Sequence, residues 1–187
     1  MNIFVLDRNP DLAAIYHNDR HCVKMILESA QLLCTAHRVI DGQPREGHSA
    51  SGRRAKRWSL ADPVMEASLY HATHVNHPSA VWVRTSRDHY GWLLQLFYAL
   101  NREYTYRYGK THACLFLTRW LDHPPVGLGI YGGPAVPPPQ AMPDECRVPL
   151  TGPYDWDATV LAYQRYYREV KKNMSRWTKR DTPDFMS

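Results

Sequence analysis

The sequence lacks any apolar run of about 18 residues, the length that a membrane-spanning helix needs, and it lacks a signal-peptide pattern. It also lacks an internal repeat and an adjacent His-Asp pair of the metal-phosphohydrolase type. Its four cysteines show no C-x-x-C spacing and lie far apart, at Cys22, Cys34, Cys114 and Cys146. We therefore predict a cytoplasmic protein with reduced thiols and no membrane partner.

What is present is an ordinary globular composition with a basic charge. The chain of 187 residues is 44% hydrophobic and 22% charged, which fits one domain over residues 1–187 and argues against disorder. The formal charge is +5 and the pI is near 9.1. This balance favours a polyanionic partner such as nucleic acid, although a basic surface that only keeps the protein soluble would give the same numbers.

Start and stop signals predict an all-α or nearly all-α domain of five or six helices. After a short extended segment at residues 2–6, caps such as Asn9-Pro10, Asp62-Pro63 and Gly109 place helices at residues 10–38, 63–75, 86–108, 111–121 and 157–172. His77-Pro78 is expected to break the chain. Residues 41–58 carry five cations against Glu46 and predict a mobile basic loop. Residues 123–154 predict a long Pro/Gly-rich loop.

The first predicted helix carries one narrow polar stripe. On a wheel of about 100° per residue, the stripe consists of His17, His21, Lys24, Glu28, Gln31 and Thr35. Most of the remaining circumference is apolar, which is typical of a central helix rather than a surface one. The stripe therefore predicts an internal cleft, with a solvated face or a structural hydrogen-bond network as the alternatives.

Three kinds of chemistry remain open for this stripe. Lys24 is a candidate nucleophile, because burial beside Arg20 and His21 would favour its neutral amine, with Glu28 as its partner. Alternatively, His21 or Glu28 performs acid-base work while Lys24 binds phosphate. A third possibility is a metal shared by His17 and His21, with Asp19, His74 or His77 as a further ligand. We rank metal binding lowest and predict no metal and no cofactor.

A second group of residues interleaves aromatic and basic side chains, a pattern that suits stacking on bases and holding phosphates. Its members are His74, Asn76, His77, Trp82, Arg84, Arg107, Tyr108, Lys110 and His112. The C-terminal segment adds Trp177 and Arg180, which could close over a ligand. Packing in the core is the alternative for the aromatic members, and a docked or frayed tail is the alternative for the C-terminal segment.

These motifs resemble a family of small bacteriophage proteins. The matching segments are HNDRHCVKMILESAQ at residues 17–31, THVNHP at 73–78 with Trp82 and Arg84, EYTYRYGKTH at 103–112, and the Trp-Lys-Arg-x-x-Pro ending near residues 177–183. The resemblance covers most of the chain apart from the basic loop. It implies a phage protein that works in the cytoplasm of the bacterial host, and by itself it implies no activity.

The layout is also distantly similar to the phage pyrimidine-dimer DNA glycosylases of the endonuclease V type, which are compact helical proteins. The shared pattern is Ala13, Ala14 and His17, a His-containing entry to an aromatic central helix, and an aromatic, basic C-terminal segment. Those enzymes attack the sugar C1′ with a free N-terminal threonine amine, whereas this chain begins Met1-Asn2. Their catalytic glutamate would align near Lys24. The nucleophile and the acid therefore cannot be transferred, and Lys24 and Glu28 stay candidates from the wheel alone.

The sequence thus predicts a DNA glycosylase or AP lyase, which acts on an extruded base or its deoxyribose. DNA is the predicted partner, with its phosphates held by the basic loop and by Arg84, Arg107 and Lys110. A phage transferase that modifies a nucleobase or nucleotide is the second interpretation. A non-enzymatic phage accessory protein that binds DNA or a host protein is the third.

Overall fold

A computed structural model describes residues 1–48, 51–129 and 135–187, and 54% of the chain is helical. The described residues form seven α-helices: α1 (Pro10–Tyr16), α2 (Asp19–Asp41), α3 (Pro63–Ser68), α4 (Pro78–Val83), α5 (Arg87–Tyr108), α6 (Thr118–Leu121) and α7 (Trp156–Tyr166). One antiparallel hairpin joins β1 (Gln43–His48) to β2 (Arg54–Ser59). Single 3₁₀ turns occur at Ala113–Leu117, Asp144–Cys146, Lys172–Met174 and Asp184–Met186, and a π-helical turn follows α7 at Tyr167–Lys171.

Several helix ends form where local sequence signals predict them. The Asn9 side chain accepts a hydrogen bond from the Asp11 amide, and Ser86 accepts one from the His89 amide, so both cap a helix N-terminus. Proline occupies the first turn of α1, α3 and α4. Gly109 ends α5 with a φ of 65°, a left-handed conformation that glycine adopts without strain. The mostly helical prediction is therefore confirmed.

The core lies between α2 and α5, with α1 packed on α5 and the extended segment at residues 3–6 fully enclosed. Phe4 contacts the rings of Tyr163, Tyr166 and Tyr167 at centroid distances of 5.8, 6.0 and 5.5 Å. The N-terminal segment is thereby fixed between α2 and the end of α7. All four cysteines are free and buried in this interior.

The first predicted helix is not continuous. His17 has extended backbone angles and Asn18 caps a new helix, with its side-chain oxygen 2.8 Å from the His21 amide. Asn favours such caps over helix interiors, because its short side chain satisfies free backbone amides. The prediction of one helix over residues 10–38 was therefore wrong, and His17 does not belong to the wheel that carries the rest of the stripe.

The segment predicted as a basic loop contains the β1–β2 hairpin. Arg45 pairs with Arg57 and Glu46 with Lys56, while Trp58 anchors the base of the hairpin in the interior. The two strands carry no alternation of apolar residues, since most of the hairpin is exposed, and this is why the hydrophobic pattern gave no strand signal. Residues 49 and 50 of the predicted loop lie outside the described residues.

Three smaller differences concern element boundaries. Helix α3 ends at Ser68, well before residue 75, and His77-Pro78 begins helix α4 where a break was predicted. The predicted helix at 111–121 is a 3₁₀ turn followed by α6. The described parts of the Pro/Gly-rich segment 123–154 contain a single 3₁₀ turn as their regular structure, and residues 130–134 lie outside the described residues.

Arg38 holds the end of α2, the hairpin and α3 together. Its fully buried guanidinium donates to the carbonyl oxygens of Tyr70, Trp58, Glu66 and Leu69 at 2.9, 3.0, 2.7 and 2.7 Å. It also donates to the Glu66 carboxylate, which accepts the Leu60 amide as well. Every side of the planar group is engaged, so this arginine is a structural cross-link between four chain segments.

We predict that Arg38→Met lowers the free energy of unfolding by about 3–5 kcal/mol, because removal of one partner leaves buried carbonyls and a carboxylate without their donor. Urea unfolding followed by circular dichroism measures the change. The matched control is Arg102→Met, which removes an exposed ion pair with Asp11 and should cost about 0–1 kcal/mol. Equal, small losses in both variants would contradict the assigned role of Arg38.

Candidate functional site

The carboxylate of Glu28 is the point on which several polar groups converge. Its side chain is 11% exposed. Oε2 accepts the Asn2 amide at 2.9 Å and lies 3.8 Å from the Met1 nitrogen, while Oε1 lies 3.2 Å from Lys24 Nζ. The Asn2 side chain in turn donates to the Ala141 carbonyl at 2.8 Å and accepts from the Tyr163 hydroxyl at 3.0 Å. One nearly buried carboxylate thus lies within 4 Å of two nitrogen atoms, the Met1 nitrogen and Lys24 Nζ.

The loop between α3 and α4 also contributes residues near this carboxylate. The Thr35 hydroxyl accepts the Thr73 amide at 3.2 Å, which fixes the chain just before His74. His77 then caps α4, with Nδ1 accepting the Ser79 amide at 3.2 Å. Burial lowers the pKa of His77, as do the positive charges of the N-terminal amine and His74, while Glu28 opposes the shift. His77 is thus close enough to Glu28 and the N-terminal amine for their charges to affect its pKa. We call Met1, Asn2, Lys24, Glu28 and His77 the Glu28 site.

Lys24 differs from the expectation of a buried amine. Its side chain is 65% exposed, and it contacts Glu28 from the solvent side of α2, one turn away. Val23 and Leu27, predicted to face the core, are exposed beside it. The helix starts at Asp19 and its solvent face passes through Lys24, so the predicted stripe is exposed at Lys24 and buried on either side of it, at His21 and Glu28. Desolvation therefore cannot be what activates this lysine.

His17 and His21 are buried beneath the Glu28 site. Desolvation lowers the pKa of His21 to about 3, helped by the charges of His17, Lys171 and Lys24, and its Nδ1 lies 2.5 Å from the Tyr167 hydroxyl. Desolvation lowers the pKa of His17 to about 4. His17 Nδ1 lies 2.6 Å from the Ala13 carbonyl, and its Nε2 is buried without a partner. Both rings are neutral near pH 7 and belong to the packing around Phe4.

In the described structure, a metal ion shared by His17 and His21 would have no third protein ligand. The rings of His17 and His21 have centroids 6.5 Å apart, and each ring already uses its Nδ1 in a hydrogen bond. Asp19 instead binds Arg107 and Thr178. Within residues 1–48, 51–129 and 135–187, no three His, Cys, Asp or Glu side chains are placed to hold a metal ion.

The predicted nucleic-acid-binding residues separate into different places. His74 and Asn76 are exposed near the Glu28 site. Trp82, in contrast, is buried, stacks on His89 at a centroid distance of 4.5 Å and donates to the Val136 carbonyl. Arg84 is half-buried and donates to the Ala80 carbonyl. Trp82 therefore packs in the core, which was the alternative interpretation of the aromatic residues in this group.

Arg107 and the C-terminal segment form a structural ion-pair network on the far end of α5. Buried Arg107 binds Glu103 at 2.7 Å and Asp19 at 3.0 Å, and Arg180 binds the same Glu103 through two hydrogen bonds. Trp177 donates to the Tyr16 carbonyl at 2.9 Å, so the tail is docked. The remaining three residues of this group lie nearby: Tyr108 partly buried, Lys110 exposed and His112 capping the 3₁₀ turn after α5.

Asn2 and the Met1 nitrogen were not predicted from the sequence as members of the site. Asn2 reads as the start of an apolar segment, and its contact with Glu28 spans 26 residues. Only the presence of one polar residue at the edge of that segment could have drawn attention to it. The hairpin arginines Arg45 and Arg57 were seen as charge, but their pairing across two strands was not.

Comparisons with protein-family models, curated proteins and solved structures give no match to this chain. Among the helices that the structure describes, none combines the length and the apolar character needed to cross a bilayer. The function must therefore be inferred from the geometry of the Glu28 site and from the distribution of charge on the protein.

We predict that stability falls between about pH 6.5 and pH 4. Burial lowers the pKa of His17, His21 and His37 to about 4, 3 and 4, from 6.5 for the unfolded chain. In this range the unfolded state therefore binds protons that the folded state does not bind. Each histidine lowers the free energy of unfolding by up to about 1.4 kcal/mol for each pH unit that the pH falls. The stability is fully present above pH 6.5. Urea unfolding at several pH values measures the slope.

The variant His37→Gln removes one of these groups and should make the slope shallower by up to about 1.4 kcal/mol per pH unit, whatever its effect on stability at pH 7. His37 is suited to the test because it lies away from the Glu28 site, with Nε2 2.9 Å from the Tyr90 hydroxyl. A free energy of unfolding that stays constant from pH 6.5 to pH 4.5 would show that these histidines do not titrate as buried groups.

Proposed function

We propose that this protein is a nucleic-acid-acting enzyme of the DNA glycosylase/AP-lyase type, with the Glu28 site as its reactive centre. The observation that supports this most is the nearly buried Glu28 carboxylate with an amine within 4 Å of each of its oxygens. An amine beside a carboxylate is the pair of groups that displacement of a base and formation of an imine require.

The proposed reaction uses both groups. The amine reacts in its neutral form. As the bond from C1′ to the base breaks, the amine nitrogen bonds to C1′, and the base leaves with the electron pair and takes up one of the two amine protons. The nitrogen lone pair then forms the C1′=N bond while the C1′–O4′ bond breaks, O4′ takes up a proton from water, and a protonated imine remains at C1′. Glu28 stabilises the positive charge that develops on the sugar and then accepts the C2′ proton, which expels the 3′ phosphate.

Two amines are in reach of Glu28, and they differ in how they are held. Lys24 Nζ ends a long exposed side chain on the surface of α2. The Met1 nitrogen lies next to the fixed Asn2 amide, and in a chain that begins at Met1 it is a primary amine. The proposal assigns the carboxylate role to Glu28 and the nucleophile to one of these two amines.

The surroundings of the site suit a nucleic-acid substrate. Exposed His74 and Asn76 offer hydrogen bonds at one side, and the exposed side chains of Val23 and Leu27 offer apolar contact beside Lys24. An extruded nucleotide needs both, since its base must be covered and its phosphates must be held. The formal charge of +5 favours a polyanion.

Borohydride trapping tests the proposal. With abasic duplex DNA we expect a covalent protein–DNA adduct, and we expect Glu28→Gln to lower the rate of trapping by about 10²- to 10⁴-fold, because glutamine keeps the shape but not the charge. DNA affinity, measured by fluorescence anisotropy, should not fall in this variant. Peptide mapping of the adduct should locate it at Lys24 or at the N-terminal peptide, and N-terminal sequencing shows whether that terminus is Met1.

The variants Lys24→Ala and Lys172→Ala form a matched pair, since both remove an exposed lysine. Lys172→Ala should trap like the unchanged protein. Lys24→Ala should lose the adduct if Lys24 is the nucleophile and keep it if the Met1 nitrogen is. An adduct at any other residue contradicts the assignment. DNA binding without an adduct or base release would favour the accessory-protein interpretation instead.

A further inference from the structure

The hairpin places two arginines directly opposite each other on one face. Arg45 in β1 and Arg57 in β2 are partners in the strand register, and side chains at such positions lie next to one another. Like charges in this position destabilise a hairpin. The repulsion between Arg45 and Arg57 therefore destabilises the hairpin, and the hydrogen bonds between the strands do not require two arginines at these positions.

Both guanidinium groups are fixed in position by bonds that leave other donors available. Arg57 donates through two nitrogens to the His48 carbonyl, at 3.2 and 2.7 Å, and Arg45 Nε donates to the Ser59 hydroxyl at 2.5 Å. Arginine has five donors, so in its contacts with described residues each group uses only part of its capacity. In the described parts of the chain, no carboxylate lies within 4 Å of either guanidinium.

The acidic residues near the hairpin are already engaged elsewhere. Glu46 points to the opposite face, where it meets Arg54 at 3.5 Å. Glu66 is close enough for Arg45 to contribute to its lowered pKa, but its Oε2 already binds Arg38 and the Leu60 amide. The charges of exposed Arg45 and half-buried Arg57 thus lie on one face of the hairpin.

Gly47 makes room for this arrangement. A Cβ atom at position 47 would lie 2.7 Å from Arg57 Cγ and 3.8 Å from Arg45 Nη1. Parts of both arginine side chains, Arg57 Cγ and Arg45 Nη1, therefore lie over the one residue of β1 that has no side chain. Any other residue at position 47 would push Arg57 away from the His48 carbonyl.

The hairpin is also held firmly at its base. Trp58 is buried, its carbonyl accepts a hydrogen bond from Arg38, and Lys56 Nζ lies 5.2 Å from the centre of its ring. The basic face thus belongs to a two-stranded ribbon that is anchored at its base through Trp58.

We infer that Arg45 and Arg57 form a phosphate clamp, in which the two guanidinium groups above Gly47 hold one backbone phosphate of a DNA duplex. A phosphate between them would replace the repulsion by two charge-assisted, multidentate contacts. A two-stranded ribbon also has the width that the major groove admits. This inference deepens the proposed function and rests on it for the choice of DNA as the polyanion.

The test compares two double variants that each remove two positive charges from the hairpin of the full chain. Arg45→Gln/Arg57→Gln acts on the clamp face, and Arg54→Gln/Lys56→Gln acts on the opposite face. We expect the slope of log affinity against log salt for a 20-base-pair duplex to become about one unit shallower in the first variant, because one phosphate loses both of its partners. The second variant should leave the slope nearly unchanged. Equal changes would show diffuse charge and overturn the clamp.

A charge-neutral variant separates geometry from charge. Gly47→Ala keeps every cation but places its Cβ against Arg57, so it should weaken DNA binding nearly as much as the clamp double variant, with unchanged far-ultraviolet circular dichroism. Affinity like that of the unchanged protein would overturn the inference. Vesicles of phosphatidylglycerol test the other common polyanion, and loss of vesicle binding without loss of DNA binding in the clamp variant would also overturn it.

The readouts also separate this inference from the proposed function. Clamp variants should still form the borohydride adduct at saturating DNA, because the Glu28 site is intact. Loss of the adduct at saturating DNA would mean that the arginines act in the reaction and would contradict a pure binding role. If no protein variant forms an adduct but the clamp variants lose DNA affinity as described, the clamp stands and the proposed reaction is wrong.

Discussion

The buried guanidinium of Arg38 is the interaction on which the other parts of the molecule depend. It joins the end of α2 to Trp58 at the base of the hairpin and to α3 through Glu66. Through Leu69 and Tyr70 it also fixes the start of the loop that carries His74 and His77. One side chain thus sets the position of both regions to which we assign a role. Burial of such a charge is tolerated because each donor meets an oxygen.

Local chemistry predicted much of the helical framework. Asn9, Ser86 and Gly109 act within one turn of themselves, so their effects could be deduced from neighbouring residues. Asn18 has the same capping chemistry, but the apolar pattern on both sides of it favoured a continuous helix. The hairpin was missed because exposed strands need no apolar alternation and only their register reveals the pairing.

The site was predictable only in part, for a related reason. The wheel correctly placed Lys24, Glu28 and Thr35 on one face of one helix, because helical spacing is a local property. It could not show which members of the stripe face solvent. That depends on what covers α2: the segment at residues 3–6 and the end of α7 cover it at His21, whereas the described structure leaves Lys24 open. His17 was included only because the break at Asn18 was not recognised.

The enclosure of residues 3–6 has a consequence for how the protein is made. Phe4 packs on Tyr163 and Tyr167, and the Leu6 carbonyl accepts a hydrogen bond from Gln164, 158 residues further along the chain. A ribosome releases residues 3–6 well before their partners on α7. The segment therefore cannot be enclosed as described until α7 has been synthesised. Folding of this region is therefore a late, non-local step. Until it occurs, the exposed apolar residues 3–6 favour aggregation of the nascent chain.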